Sequence, residues 1–347
     1  MNIYEQQASN KRTTMVLLGA FLLLFLALGA GFDYFYLSFD PVGAEPTYVL
    51  NAQGYYEATN TSPQPIPYGT IAALLFGAIM VLNSVFNGPG MVLRSTMARR
   101  AVSTDPAEKQ FLNVVREMSL AAGLPPPDAY VVPDPDANAF ATGFSPGNSV
   151  IAVTEGLLRS LDREELQAVV AHEMSHIRNY DMRVMTVAAA LMGAISLISD
   201  FAGRSMRYGG RMRGRSSGGG RGGKGGGPLV LVLFAVWVLL VIFAPLFSRI
   251  LAMAISRQRE FLADASAAEL TRNPLGLVSA LEKIRASVTP TRAINNGVAH
   301  MCITDPRGSL IEEKSGFAAD LLATHPPMEK RILALKMMAY QKAPAGA

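Results

Sequence analysis

Residues 161–179 read LDREELQAVVAHEMSHIRN, and the rest of the sequence is best understood from this stretch. Asp162 is followed three residues later by Glu165, which is the spacing of a capping box at the start of a helix. Apolar residues then recur at helical spacing on one face, namely Leu166, Val169 and Val170. The pattern predicts one helix that begins at Asp162 and packs its apolar face against a core.

His172 and His176 lie four residues apart on this helix, so their imidazoles share one face, one turn apart. Both rings can then reach one metal ion, and Zn²⁺ binds imidazole nitrogen at about 2.0–2.1 Å. Glu173 follows the first histidine, where its carboxylate can accept a proton from an attacking water. HExxH on a helix is a known signature of this arrangement, although two helical histidines can also be plain surface residues. Because the chain has four histidines and two of them lie here, we expect a catalytic site with one Zn²⁺.

A catalytic zinc site needs a third protein ligand and leaves one position for water. The downstream candidates are Glu260, Asp264, His300 and His325. Residues 256–264 read SRQREFLAD and predict a helix on which Glu260 and Asp264 share one face. Glu260 as ligand, with Asp264 bonded to a ligand histidine, is one interpretation of that face. An ordinary charged surface is the other, and spacing alone leaves the choice open.

The composition favours a membrane protein, because half of the 347 residues are hydrophobic and only 17% are charged, against about 25% in soluble proteins. Two apolar runs, residues 14–32 and 69–87, are long enough to cross a bilayer as helices. A cleaved signal peptide is the alternative for the first run, but the run is longer than a typical signal core. The single cysteine, Cys302, excludes a disulfide framework and any site that needs several thiolates.

The charges beside these two runs predict their orientation. The segment between them, residues 33–66, contains four acidic residues and no Lys or Arg. Basic residues lie before the first run and after the second, at Lys11, Arg12, Arg94, Arg99 and Arg100. Since cytoplasmic loops carry the excess of basic residues, we expect an acidic external loop and a catalytic domain that faces the cytoplasm.

Two further apolar runs, residues 184–199 and 229–247, flank a Gly/Arg-rich loop at 203–227 with seven basic residues. This loop cannot build a core, and it could bind anionic lipid or recruit a partner. If both flanks share one compartment, the loop has to lie outside, against the positive-inside rule. The pair therefore either crosses as a hairpin, which its length slightly favours, or dips into the bilayer without crossing.

Residues 94–183 are expected to form a folded aqueous segment. Their sequence predicts a helix from Asp105-Pro106 to about Ala122 and three strands at 129–132, 138–143 and 149–154. The last two strands are joined by a turn at Ser145-Pro146-Gly147-Asn148. We divide the chain into a membrane region with two helices at 1–93, a first catalytic part at 94–183, a membrane hairpin at 184–249, and a second catalytic part at 250–347.

Four motifs occur in order: Asn138-Ala139-Phe140-Ala141, HEMSH, SRQREFLAD and Thr324-His325-Pro326-Pro327. Together they resemble the HtpX family of bacterial membrane zinc endopeptidases, which are related to the CAAX prenyl proteases. The resemblance implies that Glu260 is the third zinc ligand and that Asp264 supports a ligand histidine. It also implies that residues 138–141 form an edge strand that pairs with the substrate backbone, that Asn138 helps hold the substrate, and that His325 stabilises the oxyanion. The length of the acidic loop and the richness of the Gly/Arg loop depart from the family pattern.

The expectation is a multi-pass protein of the cell membrane with an α+β, mainly α, zincin-like catalytic domain of the gluzincin type that contains a small β-sheet. It would cleave polypeptides on the cytoplasmic side, and the resemblance suggests misfolded or damaged membrane proteins as substrates, with no nucleic acid partner. One rival is an intramembrane protease, which the charges around HEMSH disfavour because charge at bilayer depth is costly. The other is a membrane scaffold with a structural zinc, which would usually have four protein ligands.

Overall fold

The computed structural model describes residues 3–36, 47–50, 54–59, 66–192, 257–287, 291–294, 298–304 and 325–341. In this part of the chain helices predominate, beside one four-stranded mixed sheet and one two-stranded antiparallel ribbon. The mainly helical α+β prediction is therefore confirmed. The Gly/Arg-rich loop at 203–227, the run at 229–247 and the end of the run at 184–199 lie outside the described residues, so the predictions about them stay open.

The helices are α1 (Ile3–Tyr36), α2 (Tyr68–Ser95), α3 (Pro106–Ala122), α4 (Glu155–Ser160), α5 (Arg163–Arg178), α6 (residues 181–192), α7 (Arg257–Thr271), α8 (Pro274–Ala286) and α9 (Met328–Gln341), with one 3₁₀ turn at Ala299–Met301. The strands are β1 (Thr47–Leu50), β2 (Tyr56–Thr59), β3 (Arg99–Arg100), β4 (Asp128–Val132), β5 (Ala139–Ser145) and β6 (Asn148–Thr154).

Among the residues that the structure describes, two helices, α1 and α2, are long and apolar enough to cross a membrane. They contain the runs predicted at 14–32 and 69–87, but α1 begins about three turns before its apolar run. The two helices pack closely, since a Cβ on Gly29 would lie 2.6 Å from the Thr70 Cα atom. The Asp33 carboxylate accepts hydrogen bonds from the backbone N–H groups of Gly69 and Thr70 at 2.7 and 2.6 Å, so α1 caps the start of α2.

The four-stranded sheet has the order β3-β4-β6-β5. Strands β5 and β6 form the predicted antiparallel hairpin, while β4 pairs parallel with β6 and antiparallel with β3. Strand β5 thus lies at an edge of this sheet. Its register shifts between Gly143 and Ser145, next to the predicted turn.

Helix α5 lies in the centre of the described core. The predicted capping box is present, with Asp162 accepting from the Glu165 backbone and Glu165 accepting from the Asp162 backbone. The helix contacts α3, α7, α8 and β5. The segment from Ala168 to Ile177 is buried on every face, so the histidines and glutamate of HEMSH lie inside the protein.

Candidate metal centre

Three side chains that can bind a metal converge between α5 and α7. Donor atoms of His172, His176 and Glu260 all lie within 4.8 Å of one another, and all three residues are buried. The two Nε2 atoms are 3.3 Å apart, and the Glu260 carboxylate oxygens lie 3.5 Å from His172 Nε2 and 3.6 Å from His176 Nε2. The face of α7 that contains Glu260 is therefore turned toward HEMSH rather than toward solvent.

The local sequence explains this convergence. A spacing of four on α5 places both imidazoles on the side that faces α7. Glu260 lies in the first turn of α7, and Asp264 lies one turn further along the same face. One helix therefore supplies one carboxylate that faces both histidines and a second carboxylate behind His172.

The donor set fits a divalent zinc ion. Two imidazole nitrogens and a carboxylate are ligands that Zn²⁺ commonly takes in catalytic sites. Within the described residues, Glu260 Oε2 is buried and receives no well-directed hydrogen bond, although cationic groups surround it. Two buried imidazole nitrogens that lie 3.3 Å apart and both face one carboxylate form a donor set that a cation between them would satisfy.

Each histidine has a carboxylate behind it. His172 Nδ1 lies 3.0 Å from Asp264 Oδ1, and His176 Nδ1 lies 3.3 Å from Asp181 Oδ2. A carboxylate at Nδ1 favours the tautomer with the proton on Nδ1, which leaves the Nε2 lone pair for a metal. Burial lowers the pKa of His172, but the carboxylates of Asp264 and Glu260 outweigh it and raise that pKa to about 9, so a metal ion that binds Nε2 has to displace a proton from it.

Arg331 on α9 balances the buried negative charge. Its guanidinium donates two hydrogen bonds to the Asp264 carboxylate at 2.8 and 2.7 Å and one to the carbonyl of Ile303 at 2.8 Å. Its Nη1 lies 3.3 Å from Glu260 Oε2, and the side chain is fully buried. Burial raises the pKa of Glu260, yet the neighbouring His172, His325 and Arg331 hold it well below its usual range.

Glu173 lies buried beside the two histidines. Burial raises the pKa of its carboxyl group, because the charged form loses its hydration. Its Oε2 atom has no hydrogen-bond partner in the described part of the chain. A carboxylate with these properties suits the acceptance and return of a proton.

The other two histidines differ in position. His325 is buried, its Nδ1 lies 3.8 Å from Glu260 Oε2, and neither of its ring nitrogens has a hydrogen-bond partner among the described residues. His300 lies in the 3₁₀ turn, and its Nε2 lies 3.1 Å from the carbonyl oxygen of Met185. Burial lowers the pKa of His300 to about 4. Thus His325 borders the metal-binding group, and His300 does not belong to it.

Part of the outer edge of β5 is already paired. The backbone N–H of Ile303 donates to the carbonyl of Ala139 at 2.9 Å, and Phe140 pairs antiparallel with Cys302. The Asn138 side chain is buried and donates to the carbonyl of Thr304 at 3.2 Å. Residues 138–141, predicted to bind substrate, thus contact residues 302–304 of the same chain.

Comparison with known proteins shows the class of protein to which this chain belongs. The model of Peptidase family M48 matches residues 106–339, about two thirds of the chain, and the chain belongs to this family. It is therefore a metalloprotease, and its two apolar helices fit a membrane protein.

Its curated relatives are named protease HtpX homologues. One from Streptococcus gordonii is 38% identical over 336 residues, 97% of this chain and 100% of that protein. One from Streptococcus equi subsp. zooepidemicus is 42% identical over 270 residues, 78% of this chain and 86% of that protein. The resemblance drawn from the four motifs is confirmed. Among solved structures, the crystal structure of Ste24p from S. mikatae aligns with a TM-score of 0.45 and 16% identity, covering 96% of this chain and 67% of that one.

We predict that Arg331→Met lowers the free energy of unfolding by about 3–5 kcal/mol, because it leaves buried carboxylates without their counter-charge. Thermal and denaturant unfolding of the detergent-solubilised protein measures this loss. Arg285→Met is the matched control, since Arg285 pairs with Glu329 in an exposed ion pair worth at most about 1 kcal/mol. Equal stability of the Arg331 variant and wild type would contradict the role given to this residue.

Proposed function

We propose that this metalloprotease is a zinc-dependent endopeptidase that cleaves polypeptides at the cytoplasmic face of the membrane. The observation that carries the proposal is the convergence of His172, His176 and Glu260 within 4.8 Å in a buried position. In the proposal these three residues are the zinc ligands, and Asp264 orients His172. A zincin-like domain of the gluzincin type agrees with this ligand order, two histidines of HExxH and a later glutamate.

A bound zinc ion supplies a Lewis acid that polarises the scissile carbonyl and lowers the pKa of water. Glu173 accepts the proton of the attacking water and passes it to the leaving amine. Its raised pKa supports this role, because a general base works best when its pKa is near the working pH.

His325 is proposed to stabilise the negative charge that develops on the substrate oxygen. The support is its place 3.8 Å from the carboxylate of Glu260 and the absence, in the described residues, of other partners for its ring nitrogens. A donor already aimed into a buried site costs little reorganisation when charge develops.

The substrate backbone is proposed to pair with the outer edge of β5 near residues 138–141. An edge strand binds extended peptides through its main chain, and β5 is an edge strand of the described sheet. Because Ile303 now bonds to Ala139, a substrate that pairs at this point has to replace that bond.

The cytoplasmic orientation rests on the basic residues before α1 and after α2 and on the acidic segment between them. Family resemblance suggests misfolded or damaged membrane proteins as substrates. The charged residues at the start of α5, Asp162, Glu164 and Glu165, support an aqueous catalytic domain over a site inside a transmembrane helix, because charge at bilayer depth is costly.

We predict that Glu173→Gln abolishes cleavage of casein or an unfolded membrane protein while zinc content stays near that of wild type. The amide has almost the same shape but cannot accept a proton. Proteolysis and zinc content are measured on the same preparations. Full cleavage by the variant would remove Glu173 from the mechanism, and zinc loss would show that it holds the metal instead.

A peptide that wild type cleaves should speed hydrogen exchange of the Ile303 amide when it binds to the Glu173→Gln protein. Substrate pairing at Ala139 removes the acceptor that now protects this amide. Amides of β4, which lies inside the sheet, serve as the internal reference and should not change. An Ile303 amide that stays protected in the complex would place the substrate elsewhere.

A further inference from the structure

A polar side chain at the amino-terminal end of α1 reaches the turn after HEMSH. Asn10 is only 3% exposed, and its Nδ2 donates to the carbonyl oxygen of Asn179 at 2.8 Å and to Asp181 Oδ1 at 2.6 Å. Both partners lie about 170 residues away in sequence. A buried side-chain amide that donates both of its N–H groups to one turn holds that turn in position.

The carboxylate that Asn10 holds is the one behind His176. Asp181 is fully buried, and while its Oδ1 accepts from Asn10, its Oδ2 lies 3.3 Å from His176 Nδ1. One carboxylate therefore joins the first helix of the chain to a metal-binding histidine. The geometry of Asp181 also depends on the turn, since Tyr180 has a φ of 60°, which is uncommon for a residue with a side chain.

The two histidines are supported differently. Asp264, behind His172, is held by two charged hydrogen bonds from the fully buried Arg331. In the described part of the chain, the cationic group beside Asp181 is Arg259, whose Nε lies 3.5 Å from Oδ1, and the short hydrogen bond of Asp181 comes from the neutral amide of Asn10. The position of His176 thus depends on α1 in a way that the position of His172 does not.

We propose that Asp181 and Asn10 are positioning residues, through which the amino-terminal end of α1 orients His176 for metal binding. The proposal rests on the proposed function in one respect, that His176 is a metal ligand. Because α1 also contains the first apolar run, a helix that is long and apolar enough to cross a membrane donates a hydrogen bond to the carboxylate behind His176. Partners of metal-bound histidines usually matter about 10- to 100-fold for metal affinity.

Other residues of α1 contact the same turn without contacting Asp181. The Gln7 side chain donates to the carbonyl of Arg178 at 2.8 Å, and Lys11 Nζ lies 4.5 Å from the centre of the Tyr180 ring. Loss of Gln7 therefore reports on docking of the helix alone, whereas loss of Asn10 reports on docking and on Asp181.

The test uses the full-length protein in detergent and compares Asn10→Ala with Gln7→Ala. Zinc release to an excess of chelator and the visible spectrum of the Co²⁺-substituted protein report on the metal site without any substrate. We expect Asn10→Ala to release zinc about 10-fold faster and to change the Co²⁺ spectrum. Gln7→Ala should stay close to wild type in both. If both variants match wild type, Asn10 only packs and the proposal is overturned.

A double-mutant cycle separates action through Asp181 from a general loss of structure. Asp181→Asn keeps the size of the side chain and an oxygen for Asn10, and it should release zinc about 10- to 100-fold faster than wild type. Adding Asn10→Ala to this variant should then have little further effect on zinc release, because its route to His176 is already weakened. Independent, fully additive effects would overturn the proposal.

If Asn10→Ala does not fold, Asp181→Asn alone decides, and zinc release equal to wild type would overturn the proposed link to His176. None of these readouts requires cleavage. A protein that binds zinc as described but cuts no polypeptide would contradict the proposed function and leave this inference standing.

Discussion

The structure depends on a cluster of buried charges that are stable only together. His172, His176, Glu173, Glu260, Asp264 and Arg331 are all nearly excluded from solvent. A buried charge without a partner is costly, so each acid needs an imidazole, a guanidinium or a metal beside it. This requirement joins α5, α7 and α9, three helices that are distant in sequence, around one point. The charged groups whose burial costs free energy are the same groups that can bind and activate reactants.

Much of this site could be predicted because its residues lie close together in sequence, on single helices. A spacing of four on a capped helix places His172 and His176 together whatever the rest of the fold does. The same spacing places Glu260 and Asp264 on one face, but it does not say what that face meets. Spacing alone does not distinguish a charged surface from a face that contains a metal ligand. The family resemblance favours the metal ligand, and in the structure this face is turned toward HEMSH.

The residues that sequence reasoning missed act across long distances. Arg331 lies on a short helix with charged neighbours, where an arginine usually points to solvent, and only the tertiary fold places it on Asp264. Asp181 follows a turn with a positive φ at Tyr180, so helical spacing from His176 does not apply to it. Asn10 precedes an apolar run, where a polar residue is usually exposed at the end of a membrane helix, while its partner Asp181 lies 171 residues away. A faint signal existed, since polar residues that begin a long apolar helix have to find partners if they are buried.

We propose that two imidazoles and one carboxylate bind a zinc ion and leave it open to water. X-ray absorption at the zinc edge of the purified full-length protein tests it most directly, because it counts the ligand types around the metal. We expect two imidazole nitrogens at about 2.0–2.1 Å, with the remaining positions around the zinc filled by oxygen. A sulfur ligand from Cys302, or four protein ligands with no oxygen from water, would contradict it.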